Sequence, residues 1–367
     1  MSLKRVILSG GGTGGHIFPA LSIANEIRKR NPDCEILFVG ALGRMEMEKI
    51  PAAGYKIIGL PVMGFPRKPS TKIFKFVINL IKSAQLARNI VKEFNPQIAI
   101  GVGGYASGPL LRAAAKNGVP TLIQEQNSYA GITNKMLSKK VKTICVAYDK
   151  MERFFPKEKI ILAGNPVREN LIQKLESKKE AAGYFNVNET DKVILIIGGS
   201  LGARSINNAV LKNIEKIAQA DVKVIWQTGA YYFENIKNEL KENQPGNLQI
   251  HKFITRMDLA YSIAQLVVSR AGAGTISELC LVGKPTILVP SPNVSEDHQT
   301  KNAMALVEKN AAILIRDNEI QEKLFDTAFE VIGNNERCKT LAENIKTLAK
   351  PNATKTIVNE VEKLVKE

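Results

Sequence analysis

RVILSGGGTGGH at residues 5 to 16 and KVILIIGGSLGAR at residues 192 to 204 decide the fold. Each is a short run of Val, Ile and Leu that ends in glycines and passes into a stretch with helical spacing. A continuous apolar run suits a strand covered on both faces, as in a parallel sheet flanked by helices. The glycines let the chain turn sharply and approach a ligand, and the helix behind them offers unpaired amides and the positive end of its dipole. Two such units predict an α/β protein of two Rossmann-like, doubly wound parallel-sheet domains, with ligands beyond the carboxyl ends of the strands.

Working outward, apolar runs alternate with amphipathic stretches along the whole chain. Candidate strands in the first half are Arg5 to Ser9, Glu35 to Val39, Lys56 to Leu60, Ile98 to Gly101, Thr121 to Gln124, Thr143 to Ala147 and Lys159 to Ala163. In the second half they are Lys192 to Ile197, Lys223 to Gln227, Leu248 to Phe253, Leu266 to Ser269, Thr286 to Val289 and Ala312 to Ile315. The lysine-rich stretch Asn165 to Asp191 separates the two series and contains a linker. The expected division is 1–164, 165–350 and a terminal helix at 351–367 that can pack back on the first domain.

A length of 367 residues at 44% apolar composition suffices for two cores. Cys34, Cys145, Cys280 and Cys338 form no CxxC pair, which argues against a zinc site or a disulfide framework and fits a reducing compartment. Val6 to Leu8 is too short for a signal-peptide core, and no segment reaches the roughly 18 apolar residues of a membrane span. A soluble or membrane-peripheral protein is expected. The formal charge is +16, and residues 1–165 hold 25 Lys and Arg against 10 Asp and Glu, whereas the remainder holds 26 against 25. The basic half calls for an anionic partner: a membrane surface, a phosphorylated lipid or a nucleic acid.

Gly10, Gly12 and Gly15 fit GxGxxG, and Glu35 stands about as far on as a ribose-binding acid. That admits a dinucleotide reading beside that of a tight turn with no ligand. No Gly-Lys-Ser/Thr follows, so the turn is not a P-loop. GVGGYASGP at 101–109 and SRAGAGTISE at 269–278 add further glycine turns. In the latter, Thr275 and Ser277 bring hydroxyls to a helix start. Glu278 stands where a carboxylate can accept both hydroxyls of a ribose, or can stabilise its own helix.

GGTGGHIFPA at 11–20, GVGGYASGP, QEQNSYAG at 124–131, AGNPVR at 163–168, GGSLGAR at 198–204, RAGAGTISEL at 270–279 and DHQTKNA at 297–303 together cover essentially the whole chain. In that order they closely resemble the bacterial MurG family. Its members transfer N-acetylglucosamine from UDP-N-acetylglucosamine to undecaprenyl-pyrophosphoryl-N-acetylmuramyl-pentapeptide, converting lipid I to lipid II. The resemblance implies a GT-B fold with the donor on the second domain, the lipid acceptor on the first, and no cofactor.

It also implies roles. Uracil falls near Phe253 and Ile254, with the Ile254 backbone reading the base edge, and Glu278 holds the ribose. Ser200 and Arg168 face the diphosphate, with the Ala273, Gly274, Thr275 and Ile276 amides and the Ser277 hydroxyl at the same turn. Gln299 and Asn127 contact the sugar, and Thr13, Gly14 and Gly15 reach the donor from the first domain. The family's reaction inverts the anomeric centre by in-line attack of the acceptor's 4-hydroxyl, which needs a base. His16 is the first candidate, against the alternative of a helix-start histidine that only donates a hydrogen bond. Glu125 is its rival, or else a positioning carboxylate. His298 stands beside Gln299 and shapes the sugar pocket, and His251, inside a strand, has no catalytic part. No Asp-x-Asp pair stands near the diphosphate contacts, so metal-independent transfer is expected, with amides, Arg168 and a helix dipole in place of an ion. An NAD-dependent oxidoreductase, a nucleic-acid-binding protein and a GT-B enzyme with another acceptor are the competing readings.

From Phe65 to Lys92 there are Arg67, Lys68, Lys72, Lys75, Lys82, Arg88 and Lys92 and no acid. A helical wheel puts Ile73, Phe76, Val77, Leu80 and Ala84 on a core-facing stripe, with Phe74 and Ile78 beyond it and Lys75 and Lys82 further round. With the Val62 to Pro69 loop, that helix is expected to meet anionic lipid and the polyprenyl chain.

Overall fold

A computed structural model describes residues 2–64, 72–167 and 178–366. The chain divides into two compact units, Met1–Val167 with Asn352–Glu367, and Arg168–Pro351.

In the first unit the strands β1 (Arg5–Ser9), β2 (Glu35–Ala41), β3 (Lys56–Leu60), β4 (Ile98–Gly101), β5 (Thr121–Glu125), β6 (Thr143–Val146) and β7 (Ile160–Leu162) form one parallel sheet in the order β3-β2-β1-β4-β5-β6-β7. The register puts Val6 between Ile36 and Ile98, and Leu8 between Phe38 and Ile100. Helices α1 (Gly14–Arg30), α2 (Glu46–Ala52), α3 (Lys72–Phe94), α4 (Ser107–Lys116) and α5 (Ile132–Leu137) connect the strands. Apolar side chains fill both faces of the sheet: Val6 and Leu8 pack with α1, while Ile7 packs with residues of α3 and α4. This two-sided burial is why β1 reads as an unbroken apolar run.

In the second unit β8 (Val193–Ile197), β9 (Lys223–Gln227), β10 (Leu248–His251), β11 (Leu266–Ser269), β12 (Thr286–Leu288) and β13 (Ile313–Leu314) form a parallel sheet in the order β10-β9-β8-β11-β12-β13. Both sheets wind outward in two directions from a central pair, β1 and β4 in one and β8 and β11 in the other. These are the switch points where the connections leave a crevice at the carboxyl ends of the strands. The glycine turns after β1, β4, β8 and β11 all stand there, so the doubly wound architecture expected from the sequence is the one observed.

The last helix, Ala353–Lys366, belongs to the first unit, where Ile357, Val358, Val361 and Leu364 join the core with Ile23 and Ile27 of α1. Arg30 at the end of α1 donates to Asn359 at 2.6 Å and to Glu362 at 3.3 Å.

Helix α3 corrects one expectation. Ile73, Val77, Leu80 and Ala84, placed on the core stripe by the wheel, are exposed, as are Phe74 (74%) and Ile81 (62%). The packed stripe instead runs through Phe76 and Asn79, both half-buried, to Ser83, Ala87 and Ile90. The broadest apolar arc therefore faces outward, and the small Ser83 and Ala87 face inward. Lys75 and Lys82 are exposed; Arg67, Lys68 and the 65–69 part of the expected loop lie outside the described residues. Among the described residues no helix is long and apolar enough to cross a membrane.

Candidate functional site

In the first unit the site is built on backbone. Gly10 is wedged where a Cβ would stand 3.0 Å from the His16 carbonyl and 3.2 Å from Ala20 and Val102, and Gly12 has φ +89°. Val102 N donates to Ser9 O at 2.7 Å, and the Ser107 hydroxyl donates to Ser9 O and Gly103 O, so the turns after β1 and β4 are laced together. His16, in the first turn of α1, engages Gly11 O through Nδ1 at 2.9 Å. A carbonyl only accepts, so Nδ1 carries the proton in this bond, and in the neutral imidazole that leaves Nε2 as the basic nitrogen. Nε2 lies over Gly103, where a Cβ would come within 2.7 Å of it. Beneath the turn, the fully buried Glu46 accepts from Gly12 N at 2.9 Å and from Ala41 N at 3.0 Å.

Glu125 ends β5 almost completely buried. Its carboxylate accepts from Asn127 N at 3.0 Å, Asn127 Nδ2 at 3.3 Å, Gly131 N at 3.0 Å and Asn134 Nδ2 at 2.8 Å. Those four donors match the lone-pair capacity of a carboxylate. Gln126 donates to Val102 O, and Asn165 to Gln126 O at 3.0 Å, which ties this loop to the β4 turn. Thr13, Gly14, Gly15, His16, Glu125 and Asn127 therefore all stand at the carboxyl end of the first sheet. Glu35 does not: it pairs with Arg5 at the opposite, amino end, because β2 begins at that residue. The spacing that suggested a ribose acid is satisfied in number but not in space.

In the second unit the turn after β8 lies against the end of β9. Gly199 and Gly202 both have φ +89°, and a Cβ on Gly202 would stand well inside 3.0 Å of Thr228 O. Ala230 N donates to Ser200 O at 3.1 Å. Gln227 spans this turn and the segment expected to read the base: its Nε2 donates to Gly199 O at 3.2 Å and its Oε1 accepts from Ile254 N at 2.8 Å. Of the Ile254 backbone groups expected to read the base edge, the N–H is thus engaged by a side chain. Phe253 beside it is half exposed and Ile254 is buried.

After β11, Gly272 caps the helix Ala273–Val282, with Ile276 N on Gly272 O at 2.9 Å and the Ser277 hydroxyl on Ala273 O at 2.9 Å. Gly274 and Thr275 complete that first turn, and Glu278 follows, accepting from Tyr261 OH at 3.4 Å. Arg270 holds the turn from below, donating to Val289 O, Pro290 O, Asp317 at 2.5 Å and the Ser205 hydroxyl at 2.7 Å. Ser205 lies in the first turn of the helix Arg204–Lys212 behind the other glycine turn, so one guanidinium braces both. Gln299, in the first turn of the helix His298–Val307, accepts from Ser291 N at 2.8 Å. Arg168 lies outside the described residues. His251 in β10 packs edge-on against Phe185, and burial pushes its imidazole below the ordinary histidine range. Among the described residues no cluster of three or more His, Cys, Asp or Glu is arranged to hold a metal ion.

Glu46, Gln227 and Arg270 were not singled out by sequence. Only the three consecutive glycines at 10–12 hinted that something large lies beneath the first turn.

Two family models match, the glycosyltransferase family 28 N-terminal domain at residues 6–146 and the family 28 C-terminal domain at 193–357. The UDP-N-acetylglucosamine--N-acetylmuramyl-(pentapeptide) pyrophosphoryl-undecaprenol N-acetylglucosamine transferase of Parabacteroides distasonis is 56% identical over 365 residues, 100% of this chain and 99% of its own. The enzyme of that name from Bacteroides fragilis is 56% identical over 99% of this chain and 96% of its own. This chain belongs to that transferase family. The crystal structure of Acinetobacter baumannii MurG superposes with a TM-score of 0.79 at 28% identity, covering 98% of this chain and 99% of that one. The transferase therefore has the GT-B-like fold of two parallel sheets, and the oxidoreductase and nucleic-acid readings fall away.

Proposed function

We infer that the transferase moves N-acetylglucosamine from UDP-N-acetylglucosamine to lipid-pyrophosphate-linked N-acetylmuramyl-pentapeptide, lipid I to lipid II, in peptidoglycan synthesis. The observation that carries this is the end-to-end identity of 56% with enzymes named for that reaction. The glycine turns at both sheets' switch points supply the ligand-binding geometry. UDP release from UDP-N-acetylglucosamine in the presence of a short-chain lipid I analogue, with the product linkage read by NMR, is the test. Absence of a new glycosidic bond to the 4-hydroxyl would refute the assignment.

In the proposed chemistry the 4-hydroxyl attacks the anomeric carbon, His16 Nε2 takes its proton, and UDP leaves from the opposite face with inversion. Glu125 is better read as the organiser of the 125–134 loop, since its oxygens are occupied there. Glu278 takes the ribose, Phe253 and Ile254 take the uracil, and Gln299 and Asn127 take the sugar. Ser200, Arg168 and the amides at Ala273 to Ile276 carry the leaving diphosphate without a metal ion.

The acceptor's lipid tail suggests work at the cytoplasmic face of the cell membrane. The outward arc Ile73, Phe74, Val77, Ile78 and Ile81, bordered by Lys75 and Lys82, suits apolar insertion beside anionic headgroups. At about 1 kcal/mol per lysine, Glu at positions 72, 75 and 82 should weaken binding to phosphatidylglycerol vesicles by about 100-fold. KM for UDP-N-acetylglucosamine should stay put. Vesicle binding equal to the parent's would eliminate this surface.

A further inference from the structure

Glu46 is fully buried, and nothing in the proposed chemistry uses it. Burying a carboxylate costs several kcal/mol unless its oxygens are satisfied. A residue that merely filled the space under a glycine turn would be apolar. Here the surroundings have instead been cut away to admit the charge. A Cβ on Gly11 would stand well inside 3.0 Å of the Glu46 carboxyl group, and one on Gly40 would stand 2.6 Å from Glu46 Cγ. Both oxygens are used as acceptors, one by Ala41 N and the other by Gly12 N.

The Gly12 N–H belongs to the same peptide group as the Gly11 carbonyl, and that carbonyl accepts Nδ1–H of His16 at 2.9 Å. Carboxylate, peptide and imidazole thus form a chain: Glu46 Oε2 to Gly12 N–H at 2.9 Å, across one amide, then Gly11 O to His16 Nδ1–H. The peptide is trans, so its N–H and C=O point to opposite sides and the two partners pull along one dipole. A negative charge on the N–H polarises the amide and strengthens its oxygen as an acceptor. Gly104 closes the other side, where a Cβ would stand 2.6 Å from Gly11 O. An imidazole base needs a third group to hold its tautomer and orientation.

We propose that Glu46 is a positioning residue for the transfer reaction, acting through the Gly11–Gly12 peptide to hold His16 with Nδ1 protonated and Nε2 as the proton acceptor. This rests on His16 as the base.

The test uses the full chain labelled with 15N, in which His16, His251 and His298 are the only histidines. Ring 15N shifts report the tautomer, and His16→Gln assigns the signal. The parent should show His16 as the Nδ1–H tautomer. In Glu46→Gln, checked for folding by thermal melting, the His16 titration midpoint and the acidic limb of kcat should both move to lower pH. At pH 7 kcat should fall about tenfold, a modest share of what a general base supplies, with KM for UDP-N-acetylglucosamine within about twofold. An Nε2–H tautomer in the parent overturns the proposal even if Glu46→Gln does not fold. So does a folded Glu46→Gln whose midpoint and limb stay in place. His16→Gln separates the two layers: full activity there removes the base and with it the role of Glu46. An inactive His16→Gln beside an unperturbed Glu46→Gln removes the relay alone.

Discussion

Three glycines of the second unit form a graded test of how the turn after β8, proposed to take the donor, is held. Gly246 has open space around it and no positive φ, so Gly246→Ala should change stability by less than about 0.5 kcal/mol. Gly199 also has open space but φ +89°, so Gly199→Ala carries backbone strain alone, about 1–2 kcal/mol. Gly202 has the same φ, and its added Cβ would run into the backbone oxygen of Thr228 and to 2.8 Å from the Tyr232 ring. Restoring ordinary contact there displaces the turn by about 1 Å, a shift able to cost about 100-fold in rate. Gly202→Ala should therefore lose about 3 kcal/mol or more and weaken UDP binding at least tenfold, since Ser200 and the Ala230 N to Ser200 O bond ride on that turn. Urea unfolding gives the stabilities, and calorimetric titration with UDP gives the affinities. If Gly202→Ala matched Gly199→Ala in both, the packing of this turn on Thr228 would not be what shapes the proposed donor site.

Arg270→Met leaves Asp317 without its guanidinium and should cost about 3 kcal/mol in stability, with UDP affinity reduced in titration if the turn after β11 takes the donor as proposed; Asp317→Asn should cost less. His251 is held below its unfolded-state range by burial, so the unfolded chain binds the extra proton and stability is lost as pH falls below about 6.5. His251→Leu should flatten that acid limb in denaturation curves recorded from pH 7 to 5. If amides and Arg168 carry the leaving diphosphate, chelator-treated enzyme should keep its kcat, and recovery of activity only on adding a divalent ion would overturn that account.

The strands and glycine turns were legible because their causes are local. β1 and β8 are buried on both faces and read as apolar runs, and the sharp turns behind them place glycine at the positive φ of Gly12, Gly199 and Gly202. What escaped the sequence depends on partners far along the chain. Glu46 meets Gly12 from 34 residues away, and Gln227 meets Ile254 and Gly199 from 27 and 28. Nothing in the spacing of a glutamate or a glutamine announces such a contact. Glu35 shows the converse, because its distance from the turn fits a ribose acid while the start of β2 puts it at the wrong end of the sheet. Helix α3 misled for a different reason. Hydrophobic periodicity assumes that the widest apolar arc turns inward, and that holds only when water is the sole alternative to the core. On α3 the arc through Phe74, Val77 and Ile81 faces out, and the core accepts Ser83 and Ala87 instead. An apolar arc turned away from the core is what the lipid-facing surface proposed above requires of α3, and the vesicle-binding comparison is its test.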